Sequence, residues 1–343
     1  MIIKALGKNP TGKRSAIILQ SQNFRNGSFQ NQSPTPMMNP DSSMWKTMKN
    51  FFFSKSENRT PKNPLPFVKT DLKNLPGEKP VVVWFGHSSY FIRINGKNIL
   101  VDPVFSGNAS PFSFVIKAFK GANEYDVEDF PEIDLLILTH DHYDHLDFKT
   151  FMKLQPKVKN IFCSLGVGSH LEYWGGDPAI MTEFDWWDHH TFENEIEFTA
   201  APARHFSGRS TTRGKTLWSS FILKTKEYNI YLGGDSGYDS HFKEIGEKLG
   251  PFDLAILESG QYNTSWPLIH MMPEQTVQAS IDLKAKILLP VHWGKFALAL
   301  HDWNEPIKRV LKKAAELNVK VATPLIGQPF FLGESFPDSD WWN

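Results

Sequence analysis

The sequence predicts an α/β fold of four layers, αββα, in which two β-sheets pack face to face and helices cover both outer faces. Two observations predict it. From about residue 80 the chain alternates strand-like apolar runs with segments of helical periodicity. Several of those runs are apolar throughout, so the sheets that hold them must be buried on both faces. No short-period repeat runs through the chain, which argues against a solenoid or propeller.

Taken in order, the strand candidates are 81–94, 98–105, 134–139, 159–164, 196–201, 216–225, 228–233, 253–258, 286–291 and 320–332. Helices are expected between them at 148–154, 166–174, 239–249, 273–283 and 306–317. The last is the clearest. Ile307, Val310, Leu311, Ala314 and Leu317 form one apolar stripe, Pro306 suits a first helical turn, and Asn318 suits the exit.

Residues 1–70 have a different character. They carry Lys4, Lys8, Lys13, Arg14, Arg25, Lys46, Lys49, Lys55, Arg59, Lys62 and Lys69 against only Asp41 and Glu57, and are rich in Asn, Ser and Pro. They read as a basic extension packing on a catalytic domain that spans 71–343. Within it, 44–53 has the pattern of a short helix with Trp45, Met48 and Phe52 on one face. Docking on the catalytic domain is the preferred reading of that face, and contact with a membrane interface the alternative.

The 343 residues carry 37 basic and 37 acidic side chains, so net charge gives no argument for a nucleic-acid partner. A single cysteine, Cys163, excludes an intrachain disulfide; its apolar surroundings suit packing rather than nucleophilic chemistry. The apolar run 16–19 is too short for a secretory signal, and no stretch is long enough to span a bilayer. A cytoplasmic protein is expected, with peripheral membrane contact through the basic extension as a further expectation.

The chemistry begins where the apolar run 134–139 empties into His140-Asp141-His142-Tyr143-Asp144-His145. A strand end fixes the backbone while the loop beyond aims side chains, which suits metal ligation. His140 and His142, two apart, can converge on one ion, and Asp144 with His145 points to a second position. Four ligands do not complete two sites. Later strand ends supply more: His205 in Ala203-Arg204-His205-Phe206, Asp235 in Gly233-Gly234-Asp235-Ser236, and His292 in Pro290-Val291-His292-Trp293. His87 and Asp102 stand at early strand ends, where they can orient ligands by hydrogen bonds from behind. Asp141 and Tyr143 read as loop residues, and the adjacent His189 and His190 as surface residues or as supports behind the ligands rather than a further metal site, since neighbouring side chains diverge on a strand.

This order of motifs resembles the metallo-β-lactamase superfamily, and within it the branch of N-acylphosphatidylethanolamine-hydrolysing phospholipase D and its bacterial relatives. Further phrases carry the resemblance from Leu65 onward: Trp84-Phe85-Gly86-His87-Ser88-Ser89, Leu100-Val101-Asp102-Pro103-Val104-Phe105-Ser106, Gly250-Pro251-Phe252-Asp253-Leu254-Ala255 and His292-Trp293-Gly294-Lys295-Phe296-Ala297-Leu298. It implies the four-layer metallo-β-lactamase sandwich. It also implies that His140, His142 and His205 hold one divalent metal, that Asp144, His145 and His292 hold another, and that Asp235 bridges them. Zinc suits such an imidazole-rich set, with manganese and iron as alternatives.

The same resemblance implies a phosphodiesterase acting on a phospholipid, with Asp144, Asp235 and His270 as catalytic residues. His270 would bind substrate or assist departure of the leaving group. Among the tryptophans placed near the metal motifs, Trp186, Trp187, Trp218, Trp266, Trp293 and Trp303, we take Trp218 and Trp266 as substrate-binding candidates. Two competing functions are a lactonase or other small-substrate metallohydrolase, related to ascorbate-6-phosphate lactonase, and a non-catalytic metal-binding or nucleic-acid-associated member. The complete ligand set argues against the latter.

Overall fold

The computed structural model describes residues 2–39, 58–76, 79–193, 195–209 and 212–343. The helix expected at 44–53 lies outside them. The chain opens with two short helices, α1 (Ile2–Ala5) and α2 (Gly12–Ile18), and a hairpin of β1 (Phe24–Arg25) and β2 (Ser28–Phe29).

A seven-stranded sheet follows. It contains β3 (Val81–Trp84), β4 (Tyr90–Ile94), β5 (Lys97–Val101), β6 (Leu135–Leu138), β7 (Ile161–Ser164), β8 (Met181–Phe184) and the late strand β15 (Pro329–Phe331). Its order is β15-β3-β4-β5-β6-β7-β8, antiparallel as far as β5 and parallel from β5 to β8. A six-stranded sheet is built from β9 (His189–Phe192), β10 (Ile196–Ala201), β11 (Ser220–Lys224), β12 (Asn229–Leu232), β13 (Leu254–Glu258) and β14 (Leu288–Val291). Its strands lie in sequential order, with β12, β13 and β14 parallel.

Strand alternation assigns the layers. On β6, Leu135 and Ile137 enter the core between the sheets, where they join Phe198, Phe221, Leu232 and Ile256 of the other sheet. Leu136 and Leu138 point the opposite way, into a second core with Phe151 and Leu154 of α3 (Phe148–Leu154) and Leu171 of α4 (Gly168–Tyr173). Tyr231, Ala255 and Leu288 likewise face α5 (His241–Lys248), α6 (Pro273–Asp282) and α7 (Glu305–Leu317). The four expected layers are present. Cys163 is buried in the second of these cores.

The helices fall where periodicity places them, and α7 ends as expected with Asn318 in the left-handed region at φ 55°. Three strand expectations need correction. The run 81–94 is two strands, broken by a turn in which Gly86 and His87 adopt φ of 79° and 52°. The run 98–105 stops at Val101, because Asp102 takes φ 42° and leaves the sheet. Of 320–332 only β15 remains regular, with Val321 reaching Leu288 as an isolated bridge. Strands β8 and β9 had no apolar alternation to announce them, since most of their side chains are only partly buried or exposed.

Residues of the N-terminal extension lie against the sandwich. Ile18 and Phe29 share an apolar cluster with Leu165, Trp186, Leu217 and Trp218. Arg14 pairs with Glu172 and Glu183 at 2.7 and 2.5 Å. No helix among the described residues is long and apolar enough to cross a membrane.

Candidate metal centre

Parallel strands leave their C-terminal ends on one edge of each sheet, so loops after such strands share a site. The loops after β5, β6, β12 and β14 deliver Asp102, His140 to His145, Asp235 and His292 to one place, Glu258 closes β13 beside them, and the loops after β3 and β10 add His87 and His205. Three groups of possible ligands result, His140, His142, His205 and Asp235, then His87, Asp144, His145 and His292, and a smaller one of Asp235, His270 and His292, the ligand atoms of each group lying within 4.8 Å of one another.

In the first group His142 Nδ1 lies 3.0 Å from His140 Nε2 and 3.1 Å from His205 Nε2. Asp235 Oδ2 lies 3.8 and 3.7 Å from the same two Nε2 atoms. Ligands about 2.0–2.1 Å from a tetrahedral zinc are roughly 3.3 Å apart, so these spacings bracket the expected edge. The other oxygen of Asp235 faces the second group, with Oδ1 3.1 Å from His145 Nε2 and 3.2 Å from His292 Nδ1. One carboxylate therefore reaches both groups.

The imidazoles are oriented from behind. His145 Nδ1 is 2.8 Å from Asp102 Oδ2, and Asp102 is itself fixed by the Thr139 amide and hydroxyl at 2.9 and 2.6 Å. His205 Nδ1 meets the Ile269 carbonyl at 2.8 Å, and His292 Nδ1 meets Ser88 Oγ at 2.9 Å. Such partners fix the ring and leave the other nitrogen available. His87 Nε2 is 2.9 Å from Asp144 Oδ2.

A direct test of fit comes from the buried polar atoms. His145 Nε2, His292 Nε2 and Asp235 Oδ1 are buried and make no hydrogen bond. Orphaned groups of this kind are costly, and here they come from three loops of one site. Buried nitrogen and oxygen atoms that converge at ion-pair distance without a well-formed hydrogen bond are what a cation requires, and such a donor set fits a divalent metal.

Protonation follows the same logic. Burial opposes charge at Asp144 and Asp235, but His145 and neighbouring imidazoles outweigh it, holding Asp144 far below the usual carboxylate range and Asp235 at about 2. Burial and adjacent imidazoles hold His140 and His292 well below the ordinary histidine value. His205 is also held well below it by burial. His145 is the exception: burial would lower it, but Asp235, Asp144 and Asp102 raise it well above.

A cleft of about 240 Å³ opens over these residues, and the apolar side chains of Phe206, Trp266, Ile269 and Leu298 line it together with Gln261. His270 lines it as well, with ring centroids 5.1 Å from His205 and 5.2 Å from His292. Of the tryptophans among the described residues, only Trp266 lines this cleft. Trp218 is 2% exposed, donates its indole N–H to Asn31 and Ala203, and borders a neighbouring groove beneath the N-terminal extension. Trp293 packs at a tilt against Trp84 and stacks on Trp341. His189 and His190 lie on β9, with His190 against Phe162.

Sequence reasoning passed over four contributors. Asp141 is a buried anchor: its carboxylate accepts from Thr216, Gly208 and His170 at 2.9, 2.8 and 3.2 Å. Arg209 is buried and donates to the carbonyls of Asp141, Leu146 and Ala5. Ser88 orients His292. Glu258, a charge at the end of an apolar strand, bonds His270, and that one charge in Leu254-Ala255-Ile256-Leu257-Glu258 was the available signal. Burial pushes Glu258 up to about 7, while at His270 the carboxylate outweighs burial and raises the ring.

Residues 97–293 match the model of the Beta-lactamase superfamily domain. An uncharacterised protein of Mycobacterium tuberculosis is 38% identical over 328 residues, 94% of this chain and 88% of its own length. N-acyl-phosphatidylethanolamine-hydrolyzing phospholipase D 1 of Caenorhabditis elegans is 30% identical over 233 residues, 64% of this chain and 65% of that protein. Among solved structures, Igni18, a metallo hydrolase from Ignicoccus hospitalis, superposes with a TM-score of 0.59 at 18% identity, covering 75% of this chain and all of its own, a likeness of fold.

Proposed function

The chain belongs to the metallo-β-lactamase superfamily and is a metal-dependent hydrolase, and from that premise we propose that it is a dinuclear phosphodiesterase of phospholipase D type. The substrate proposed is an N-acylphosphatidylethanolamine-like lipid, cleaved to an N-acylethanolamine and a phosphatidic acid. One observation carries the reading: two ligand groups, with one oxygen of Asp235 toward each, adjoin a cleft that Phe206, Trp266, Ile269 and Leu298 also line. The ligands suit a phosphoryl group, and Phe206, Trp266, Ile269 and Leu298 suit hydrocarbon. The nematode relative's name points the same way.

In this reading His140, His142 and His205 hold one cation, Asp144, His145 and His292 the other, and Asp235 both, with zinc the metal proposed. Two divalent cations bound there supply Lewis-acid activation of water and stabilisation of charge on the phosphoryl oxygens. The protein's residues do the rest. Asp102, Ser88 and the Ile269 carbonyl fix the ligand rings, the apolar lining excludes water from the lipid side, and His270 faces the cleft to bind substrate or move a proton at the departing oxygen. Attack by water places solvent oxygen in the phosphate product. Hydrolysis in ¹⁸O-water should therefore label the phosphatidic acid; label confined to the alcohol would contradict water attack at phosphorus. A panel of N-acylphosphatidylethanolamine micelles, soluble phosphodiesters and sugar-phosphate lactones tests the substrate, and preference for the lactone would overturn it.

A further inference from the structure

We propose that Glu258 is a positioning residue for His270: its carboxylate accepts the Nδ1–H of that ring and so commits Nε2 to the cleft. The inference rests on the hydrolytic reading of the cleft given above. Glu258 closes β13, between β12 and β14, the strands whose following loops carry Asp235 and His292, and its side chain is 1% exposed. A carboxylate buried there is costly unless bonded. Its two oxygens have different duties. Oε1 accepts the backbone N–H of Met271 at 2.9 Å and of Ser236 at 3.4 Å, whereas Oε2 lies 3.3 Å from His270 Nδ1.

Backbone amides can only donate, so Oε1 is fixed as an acceptor, and Oε2 is left to receive the ring. A neutral apolar residue in place of Glu258 would leave two amides unbonded; a glutamine would satisfy them with its carbonyl oxygen. Its NH2 would then face His270 Nδ1, which would have to accept, and the ring proton would move to Nε2. The carboxylate is thus the group that sets which nitrogen meets the cleft as an exchangeable site, the arrangement by which a carboxylate orients a catalytic imidazole. His270 stands with Asp235 and His292 in a third cluster of possible ligand atoms, so the polarity of Nε2 bears directly on what sits above the metals.

The test uses the full-length zinc-loaded protein labelled with ¹⁵N-histidine, the His270 signals being assigned by their loss in His270→Gln. At a pH above the His270 titration, where the ring is neutral, the wild type should show the proton on Nδ1, and Glu258→Gln should move it to Nε2. With bis-p-nitrophenyl phosphate, Glu258→Gln should lower kcat by about 100-fold. KM should stay within about threefold and metal content should not change. In the His270→Gln background the same substitution should cost nothing further. If Glu258→Gln does not fold, Glu258→Asp carries the test, the withdrawn carboxylate weakening the Nδ1 bond and shifting its proton signal upfield. An unaltered tautomer, or an equal loss in the His270→Gln background, would overturn the proposal. The spectrum decides it whichever ester the cleft accepts, whereas inertness toward every phosphodiester would count against the proposed function alone.

Discussion

Most imidazoles of the metal centre use one nitrogen on a protein partner and keep the other for the cleft, and the partner is often a residue that carries no metal itself. Asp102 shows what that arrangement is worth. It receives His145 Nδ1 and two donors from Thr139, so Asp102→Asn would present a donor where the ring needs an acceptor. Metal affinity at the site of Asp144, His145 and His292 should fall about 10- to 100-fold, with the other site retained. Stepwise chelation read by mass spectrometry checks this.

Lys295 makes a separate prediction at this scale. It is fully buried and donates to the Val104 and Phe85 carbonyls at 2.8 and 3.3 Å; burial lowers its pKa to about 7. An unfolded lysine titrates near 10.4, so between these values the unfolded chain binds more protons and stability rises with pH. Denaturant unfolding at pH 7 and pH 9 should show the wild type gaining on Lys295→Met by up to about 1.4 kcal/mol per pH unit. An identical pH response in both proteins would contradict it. The cluster from His140 to His145 was legible because its residue types are rare and closely spaced. Ser88, Glu258 and Arg209 were not, since their value depends on which loops the fold brings together.

At the scale of elements, the site is a set of strand ends, and its backbone is held in place by close packing. Gly260, just beyond β13, is set so tightly against the His292 carbonyl that an added Cβ would collide with it. Gly260→Ala should displace His292 and lower occupancy of the second metal site, measurable as reduced zinc content with the fold's circular dichroism retained. His292 is already under constraint, with φ 67° outside a glycine, as are His87 and Asp102. Strands bearing solid apolar runs were readable from the sequence, because burial on both faces leaves that pattern. Edge strands β8 and β9 were not, since half-exposed strands relax it. The turn at His87 was hidden inside a run that reads as one strand.

Over the whole molecule, the N-terminal segment and the metal loop share one support. Arg209 lies between the rings of Tyr143 and Trp174 and donates to Ala5, while Trp174 donates to Lys4 and the Lys8 amide to His170 Nδ1. His170 in turn meets Asp141, inside the metal motif. Removing residues 2–9 would leave these donors and acceptors short of partners, at about 1–3 kcal/mol for each one buried and unsatisfied. The melting temperature should drop by several degrees, roughly 2–4 °C for each kcal/mol in a chain of this size. An unchanged melting temperature would show that the segment is dispensable. The basic composition of the extension gave no sign of this role, which depends on backbone carbonyls and one backbone amide rather than on lysine side chains.

The central claim is a pair of cations joined through Asp235, and counting them tests it most directly. Metal-free protein titrated with zinc, by calorimetry with metal content read in parallel, should take up two equivalents per chain. Asp235→Ala and His142→Ala should each bind less. A wild type that saturates at one equivalent, or variants that retain both metals, would contradict the account.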